Sequence, residues 1–394
     1  MDPRNNPYAP GAGTKPPELA GRDEIIEKAA VSLDRIRSGL AARSMILYGL
    51  RGVGKTVLLN QIRLDAEARG FATVPIEAPE DRSLPGILAP VIRSTLIHLS
   101  RAKALRASVG RALKVLGSFV NALKLKYGDL EFATDFGSQQ GVADSGDLEL
   151  DLTDLLSEIG RVVAQNHTAL LLAIDELQYL PEQQLAALIS ALHRISQLQL
   201  PVTMIAAGLP QLVGKSGRAK SYAERLFEFT QIDRLDAKAA KDALCKPAEH
   251  LNVRFTSGAI EEIIRQTKGY PYFLQEWGKH SWAIAAASPI DEGDAQAATG
   301  AALVELDASF FRVRFDRLTP AEKRYLRAMA ELGEGPHRSG DIAGKLKKEV
   351  TTIAPVRSSL INKGMIYSPA HGDTAFTVPL FDGFMKRTVP LSSV

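Results

Sequence analysis

The sequence predicts an α/β fold: a parallel sheet covered on both faces by helices, followed by an all-helical region and then a small module of helices and a hairpin. Three observations carry this expectation. Short, nearly continuous apolar runs suited to buried strands alternate with helical periodicity: RSMILYG (43–49), ATVPIEAP (72–79), ALLLAIDE (169–176), VTMIAAG (202–208) and FTQIDRL (229–235). That strand signal stops after Asp236. A glycine-rich octapeptide, GLRGVGKT (49–56), separates the first strand from the helical pattern TVLLNQIRLDAEARG.

Taken in order, the first 17 residues hold five prolines and two glycines, which predicts an extended arm (1–19) without secondary structure, a disordered tail. ELAGRDEIIEKAAVSLDRI reads as a turn at Gly21 leading into an amphipathic helix that ends before the first strand. Residues 20–236 then form the first domain. Residues 237–310 read as helices interrupted by KGYPY and SPIDEGD, a second domain. From 311 to 394, TPAEKRYLRAMAEL, SGDIAGKL and TTIAPVRSSLINKG predict three helices, and MIYSPAHGDTAFTVP predicts a hairpin turning at AHGD.

Composition is that of a soluble globular chain, with 394 residues, 45% hydrophobic and 24% charged, and no apolar run approaches the ~18 residues that span a bilayer. With no apolar segment near the N-terminus and a single cysteine, Cys245, the expectation is a cytoplasmic protein without disulfides. A net charge of +3 permits nucleic-acid binding without arguing for it.

GLRGVGKT fits G-x-x-x-x-G-K-[ST] in the context that the motif requires. Gly49, Gly52 and Gly54 let the backbone N–H groups of Leu50, Arg51, Val53 and Val57 and their neighbours turn toward phosphate oxygens at a helix N-terminus. Lys55 would reach the β- and γ-phosphates of ATP, and Thr56 would offer its hydroxyl to Mg²⁺. Asp175 and Glu176, where ALLLAIDE emerges, suit the opposite wall: Asp175 as the second Mg²⁺ holder, Glu176 as the group that orients and deprotonates water.

On these residues the chain resembles AAA+ ATPases, and within them the group shared by replication-initiator and STAND ATPases. GRDE (21–24) is similar to the box that lines the adenine pocket with Gly21 and Arg22; GLRGVGKT and LLLAIDELQ resemble the two Walker motifs; KGYPYFL (268–274) is similar to the G-x-P turn of a lid, giving Pro271 a place in the site. The resemblance implies a P-loop sheet, a helical lid domain and a C-terminal winged helix, with ATP or ADP and Mg²⁺ as ligands. It also implies departures. The strand ending Ala207–Gly208–Leu209–Pro210 lacks the polar sensor such enzymes carry, and the lid turn lacks their arginine, Lys268 being the nearest cation. Slow hydrolysis is the consequence. Arg225 falls where the family places an arginine finger acting on a neighbouring subunit, which implies a homo-oligomer; a surface arginine paired with Glu224 or Glu228 is the other reading.

Residues 101–128 hold seven Lys and Arg and no acid, whereas 129–158 hold nine Asp and Glu and no base. Leu105, Val109, Ala112, Leu113, Leu116, Val120 and Leu123 recur at helical spacing, so the basic helix either packs on the core or lies on nucleic acid or a membrane surface. In the C-terminal module Thr351 or Thr352 would cap the third helix, with Pro355 in its first turn. With Lys345, Lys347 and Lys348 nearby, Thr351, Thr352, Arg357 and Lys363 are the candidates for contacting double-stranded DNA; winged helices also dock proteins, and a STAND-like scaffold of little turnover is the alternative function.

Overall fold

The computed structural model describes residues 1–11, 13–78, 81–100, 106–128 and 137–390. Five parallel strands, β1 (Ser44–Tyr48), β2 (Ala72–Glu77), β3 (Leu170–Asp175), β4 (Val202–Gly208) and β5 (Phe227–Gln231), lie in the order β2-β3-β4-β1-β5. In β1, β3 and β4 residues alternate between two buried faces, which is why these strands read as continuous apolar runs, whereas the edge strands β2 and β5 are partly exposed. Met45, Leu47, Leu171, Ala173 and Ile205 pack on the helices Asp23–Arg37 and Lys55–Ala68, whereas Ile46, Leu172, Ile174 and Met204 pack on the helices of the other face. β5 begins two residues before the predicted FTQIDRL because Phe227 is itself buried and pairs with Ser44; the chain leaves the sheet after Gln231.

The described part of the basic segment, from Arg106 onward, is a core element. Val109, Ala112, Leu113, Leu116, Val120 and Leu123 of the helix Arg106–Leu123 are buried in the main core, and Arg111 pairs with Glu158 across the charge reversal. Leu105 and residues 129–136 lie outside the described residues. Among the described residues no helix is long and apolar enough to cross a membrane.

Helices Ala237–Glu249, Ser257–Thr267, Pro271–Ile284 and Glu292–Leu306 follow, the last continuing through a π-helical turn, Asp307–Phe311, into Arg312–Asp316. The predicted division at 310/311 therefore falls inside one helical run. Phe273, Phe311, Phe381 and Phe384 share a single buried cluster, so the helical region and the C-terminal module have one core between them. The module contains Pro320–Glu331, opened by a capping box between Thr319 and Glu322, then Ser339–Lys345 and Val350–Asn362. Strands β6 (His337–Arg338), β7 (Ile366–Tyr367) and β8 (Asp373–Phe376) form an antiparallel sheet in the order β6-β8-β7, an arrangement consistent with a winged helix. A final helix, Phe381–Thr388, was not expected from FDGFMKRT; burial of Phe381, Phe384 and Met385 holds it.

Two expectations are corrected here. The N-terminal arm is ordered: it opens with a 3₁₀ turn at Pro3–Asn5, and Tyr8 is buried where its hydroxyl donates to the Leu244 carbonyl. Gly278 makes this docking possible, since a Cβ there would meet the Tyr8 ring at 2.6 Å. Neither Thr351 nor Thr352 caps the third helix; Glu349 is the N-cap, both threonines lie in the first turn, and Pro355 sits beyond it on an exposed face. No side-chain bond forms at that cap.

Candidate nucleotide site

The loop after β1 and the turn after β3 meet at the carboxyl ends of the sheet, where their strands flank β4. Gly54 takes φ 88° as the N-cap of Lys55–Ala68, a left-handed setting that costs glycine little. At Gly49 the constraint is steric, since a Cβ would lie 2.0 Å from the Ile232 carbonyl oxygen. Lys55 Nζ donates to the carbonyls of Gly49 (3.0 Å) and Leu50 (2.8 Å). Burial lowers its pKa to about 8, with the charges of Glu176 and Asp175 only partly offsetting it.

Thr56 donates a hydrogen bond to Asp175, whose carboxyl is raised by burial and which also accepts from the Glu176 N–H at 2.8 Å. A half-buried carboxylate beside a hydroxyl is a hard-oxygen pair of the kind that suits Mg²⁺. Glu176 sits at φ 51°, uncommon for a residue other than glycine. One of its oxygens accepts from Gln178 Nε2, and the other is 3.6 Å from Arg51 Nη1.

These groups face a cavity of about 430 Å³. Of the predicted residues, Arg22, Arg51, Gly52, Val53, Gly54, Lys55, Thr56, Val57, Asp175, Glu176 and Pro271 line it. Gly49 and Leu50 stand behind the wall as carbonyl partners of Lys55, and Gly21 packs instead against Ala239 and Leu235. Arg22 is engaged in structure, its guanidinium donating to the Val53 and Asp233 carbonyls at 3.2 and 2.6 Å.

Two placements differ from the sequence reading, the cation on the lid side and the polar group at the end of β4. Lys268 pairs with Glu334 and does not line the cavity; the cation on that side is Arg314, from the helical run after the lid. Arg314 lies 4.2 Å over the Phe310 ring and donates to the Phe310 carbonyl at 2.5 Å. Burial, with Arg51 nearby, lowers its pKa to about 10. The end of β4 does have a polar partner: Gln178 Oε1 accepts from the Leu209 N–H at 3.0 Å, so one amide spans Leu209 and Glu176. Arg225 lines a separate hollow with Arg43 and Ser44, at the amino ends of the strands, and cannot serve its own chain's phosphate loop.

Arg357 and Lys363 are not free surface cations. Arg357 donates to Thr374, Ser368 and the Asp373 carbonyl, each at 2.9 Å, tying its helix to β8. Lys363 pairs with buried Glu322 at 2.8 Å and lines a second cavity with Arg51 and Glu176. These bonds engage Nε and Nη2 of Arg357 and the ammonium of Lys363 within the module, so neither is held out freely toward a partner. The arm was also missed as part of the site: Gly13, Thr14 and Pro16 line the nucleotide cavity.

A pH dependence follows from Lys55. Phosphate would hold the ammonium charged, so its pKa in the complex lies above its value of about 8 without nucleotide. Affinity for ATP should therefore be flat below that value and fall by up to about tenfold per pH unit above it, as binding takes up a proton. Titrations at several pH values, in buffers of different ionisation enthalpy, measure both.

Among family models, the one described as an AAA ATPase domain matches residues 18–205, and one described as a domain of unknown function matches residues 308–385. No curated protein matches the chain. Among solved structures, the Walker-type ATPase paby2304 of Pyrococcus abyssi is 17% identical, with 95% of this chain and 97% of that one covered and a TM-score of 0.61. The ORC1 protein of Aeropyrum pernix, solved in complex with DNA, is 14% identical over 95% and 94% of the two chains, with a TM-score of 0.49. RuvB of Thermotoga maritima, a Holliday junction branch migration motor, is 15% identical over 96% and 100%, with a TM-score of 0.45.

Proposed function

We propose that this chain, whose residues 18–205 match the AAA ATPase domain, is an ATP-binding switch of the cytosol that hydrolyses ATP slowly and whose C-terminal module reports the nucleotide state. The observation that carries this reading is the convergence on one cavity of Lys55, Arg51 and Arg314 with the Thr56–Asp175 pair and Glu176. A buried cation such as Lys55, held only by carbonyls, is costly until an anion arrives, and a triphosphate is an anion of the right length and charge.

The residues divide the work. Lys55 and the loop N–H groups bind the β- and γ-phosphates, and ADP through the β-phosphate alone. Thr56 and Asp175 would hold Mg²⁺, which when bound neutralises charge shared between those phosphates. Glu176 orients a water and takes its proton. Arg314 approaches the same cavity from the C-terminal side and serves in cis as the cation that the lid turn lacks. Turnover is slow because both oxygens of Glu176 are engaged, by Gln178 and Arg51. Arg225, remote from its own site, remains available to a neighbouring copy as an arginine finger.

For the output we favour DNA. Lys345, Lys347, Lys348, Thr351 and Thr352 are all exposed around the start of the helix Val350–Asn362, an end that would meet phosphates rather than bases. The Lys347→Ala, Lys348→Ala double variant should bind duplex DNA more weakly, with a salt slope lower by about 0.9 for each phosphate that is no longer neutralised, while ATP affinity stays unchanged. DNA affinity and slope equal to wild type would favour the alternative, a scaffold whose module docks protein. Titrating ATP and DNA together, with mass measured in each state, also reads whether copies assemble through Arg225.

A further inference from the structure

We infer that Arg51 is a positioning residue that ties the C-terminal module to Glu176: with the module docked, Arg51 holds the carboxylate away from its task, and undocking releases it. This rests on the nucleotide-binding reading above and adds a regulator to it, namely the module matched by the family model of unknown function.

Arg51 is held at both ends. Its backbone N–H donates to the carbonyl of Thr377 at 2.9 Å, a bond between the phosphate loop and the segment that follows β8. Its side chain donates from Nη2 to the Tyr179 hydroxyl at 2.7 Å and places Nη1 3.6 Å from Glu176. Thr377 is itself fixed, fully buried, with its hydroxyl donating to the Gly364 carbonyl (2.5 Å) and its N–H to that of Met365 (3.0 Å). The module's approach is close: a Cβ on Gly364 would lie 3.0 Å from Leu209, 3.1 Å from Arg51 Nη2 and 3.4 Å from the Tyr179 hydroxyl. Gly364 also takes φ 64°, so glycine meets both the backbone and the steric requirement.

The consequence for Glu176 is direct. Gln178 occupies one of its oxygens and Arg51 faces the other, so accepting a proton from water means giving up a partner. Arg51 also keeps a buried donor in reserve, since its Nε has no hydrogen-bond partner. An anion entering the cavity can take that donor and compete for the guanidinium, loosening its hold on Glu176. Nucleotide binding, module docking and the freedom of the base are thus linked through one side chain, and any ligand that pulls the module from Gly364 and Thr377 would speed hydrolysis.

Tyr179→Phe tests this with little disturbance, because it deletes the hydroxyl that steadies Arg51 and leaves the ring and every phosphate contact in place. Steady-state hydrolysis should show kcat raised about ten- to hundredfold, the worth of one hydrogen bond to a charged group, with equilibrium ATP affinity retained or raised because ATP competes for the same guanidinium. Gly364→Ala, which pushes the module from the same spot, should raise kcat in the same direction. Arg51→Lys, which keeps a charge near Glu176, should fall between wild type and Arg51→Gln. A Tyr179→Phe kcat at or below that of wild type, in protein that binds ATP normally and melts as wild type does, overturns the inference while leaving the nucleotide site standing. Failure of the wild-type protein to bind ATP removes both.

Discussion

Lys55→Ala protein should lose ATP binding by about 10²–10³-fold, because truncation removes the one cation seated inside the phosphate loop. The other basic groups cannot substitute. Arg51 is engaged with Tyr179 and Glu176, Arg22 with two backbone carbonyls, and Arg314 reaches the cavity from its far side. Folding should survive, since the ammonium contacts only carbonyls of its own loop, and deleting a buried, depressed lysine removes a desolvation cost along with two hydrogen bonds. Equilibrium binding of labelled ATP checks the prediction, with a thermal melt as the folding control. Wild-type affinity in the variant would remove Lys55 from the site.

Glu176→Gln should bind ATP and Mg²⁺ as wild type does and turn over about 10²–10⁴-fold more slowly, since the amide keeps the shape and loses the base. The side chain lies at the cavity wall, and its neighbour Asp175, already bonded to Thr56, is committed to the metal side. Because Gln178 and Arg51 both favour a carboxylate at this position, the amide also weakens the tie to Arg51. A single-turnover assay separates the two effects: binding amplitude is retained and the chemical step is lost. Hydrolysis at the wild-type rate would show that another group activates the water.

What the sequence revealed about the site follows distance along the chain. The phosphate loop and the acidic pair after β3 were legible because each is a local pattern, a strand with its turn and, for the loop, the helix that follows. The parallel sheet was legible for the same reason. Arg314 was not, because it enters the cavity from a helical run that no local motif marks, and its partner is an aromatic ring rather than a charge. Gln178 fills the polar place at the end of β4 from a different strand's turn, so Ala207–Pro210 carries no local sign of it. Tyr8 looked like part of a disordered arm on proline content, and only the notch at Gly278 shows why it is buried.

In the C-terminal module charge alone does not tell a tethered side chain from a free one. Arg357 and Lys363 carry the charges expected of phosphate contacts, yet each also bonds within the module, Arg357 to β8 and Lys363 to Glu322. The helix start at Thr351 was displaced for a similar reason: Glu349 takes the cap position two residues earlier than the threonine signal suggests.

On this account nucleotide occupancy is read by the C-terminal module through the phosphate loop. The most direct measurement is amide hydrogen exchange over residues 364–378 and at Arg51 in Glu176→Gln protein, with and without saturating ATP and Mg²⁺, using Lys55→Ala as the control that cannot bind. Exchange should change in both segments on ATP addition and stay constant in the Lys55→Ala control. Identical exchange in the free and ATP-saturated protein, with binding verified in the same samples, would contradict the claim.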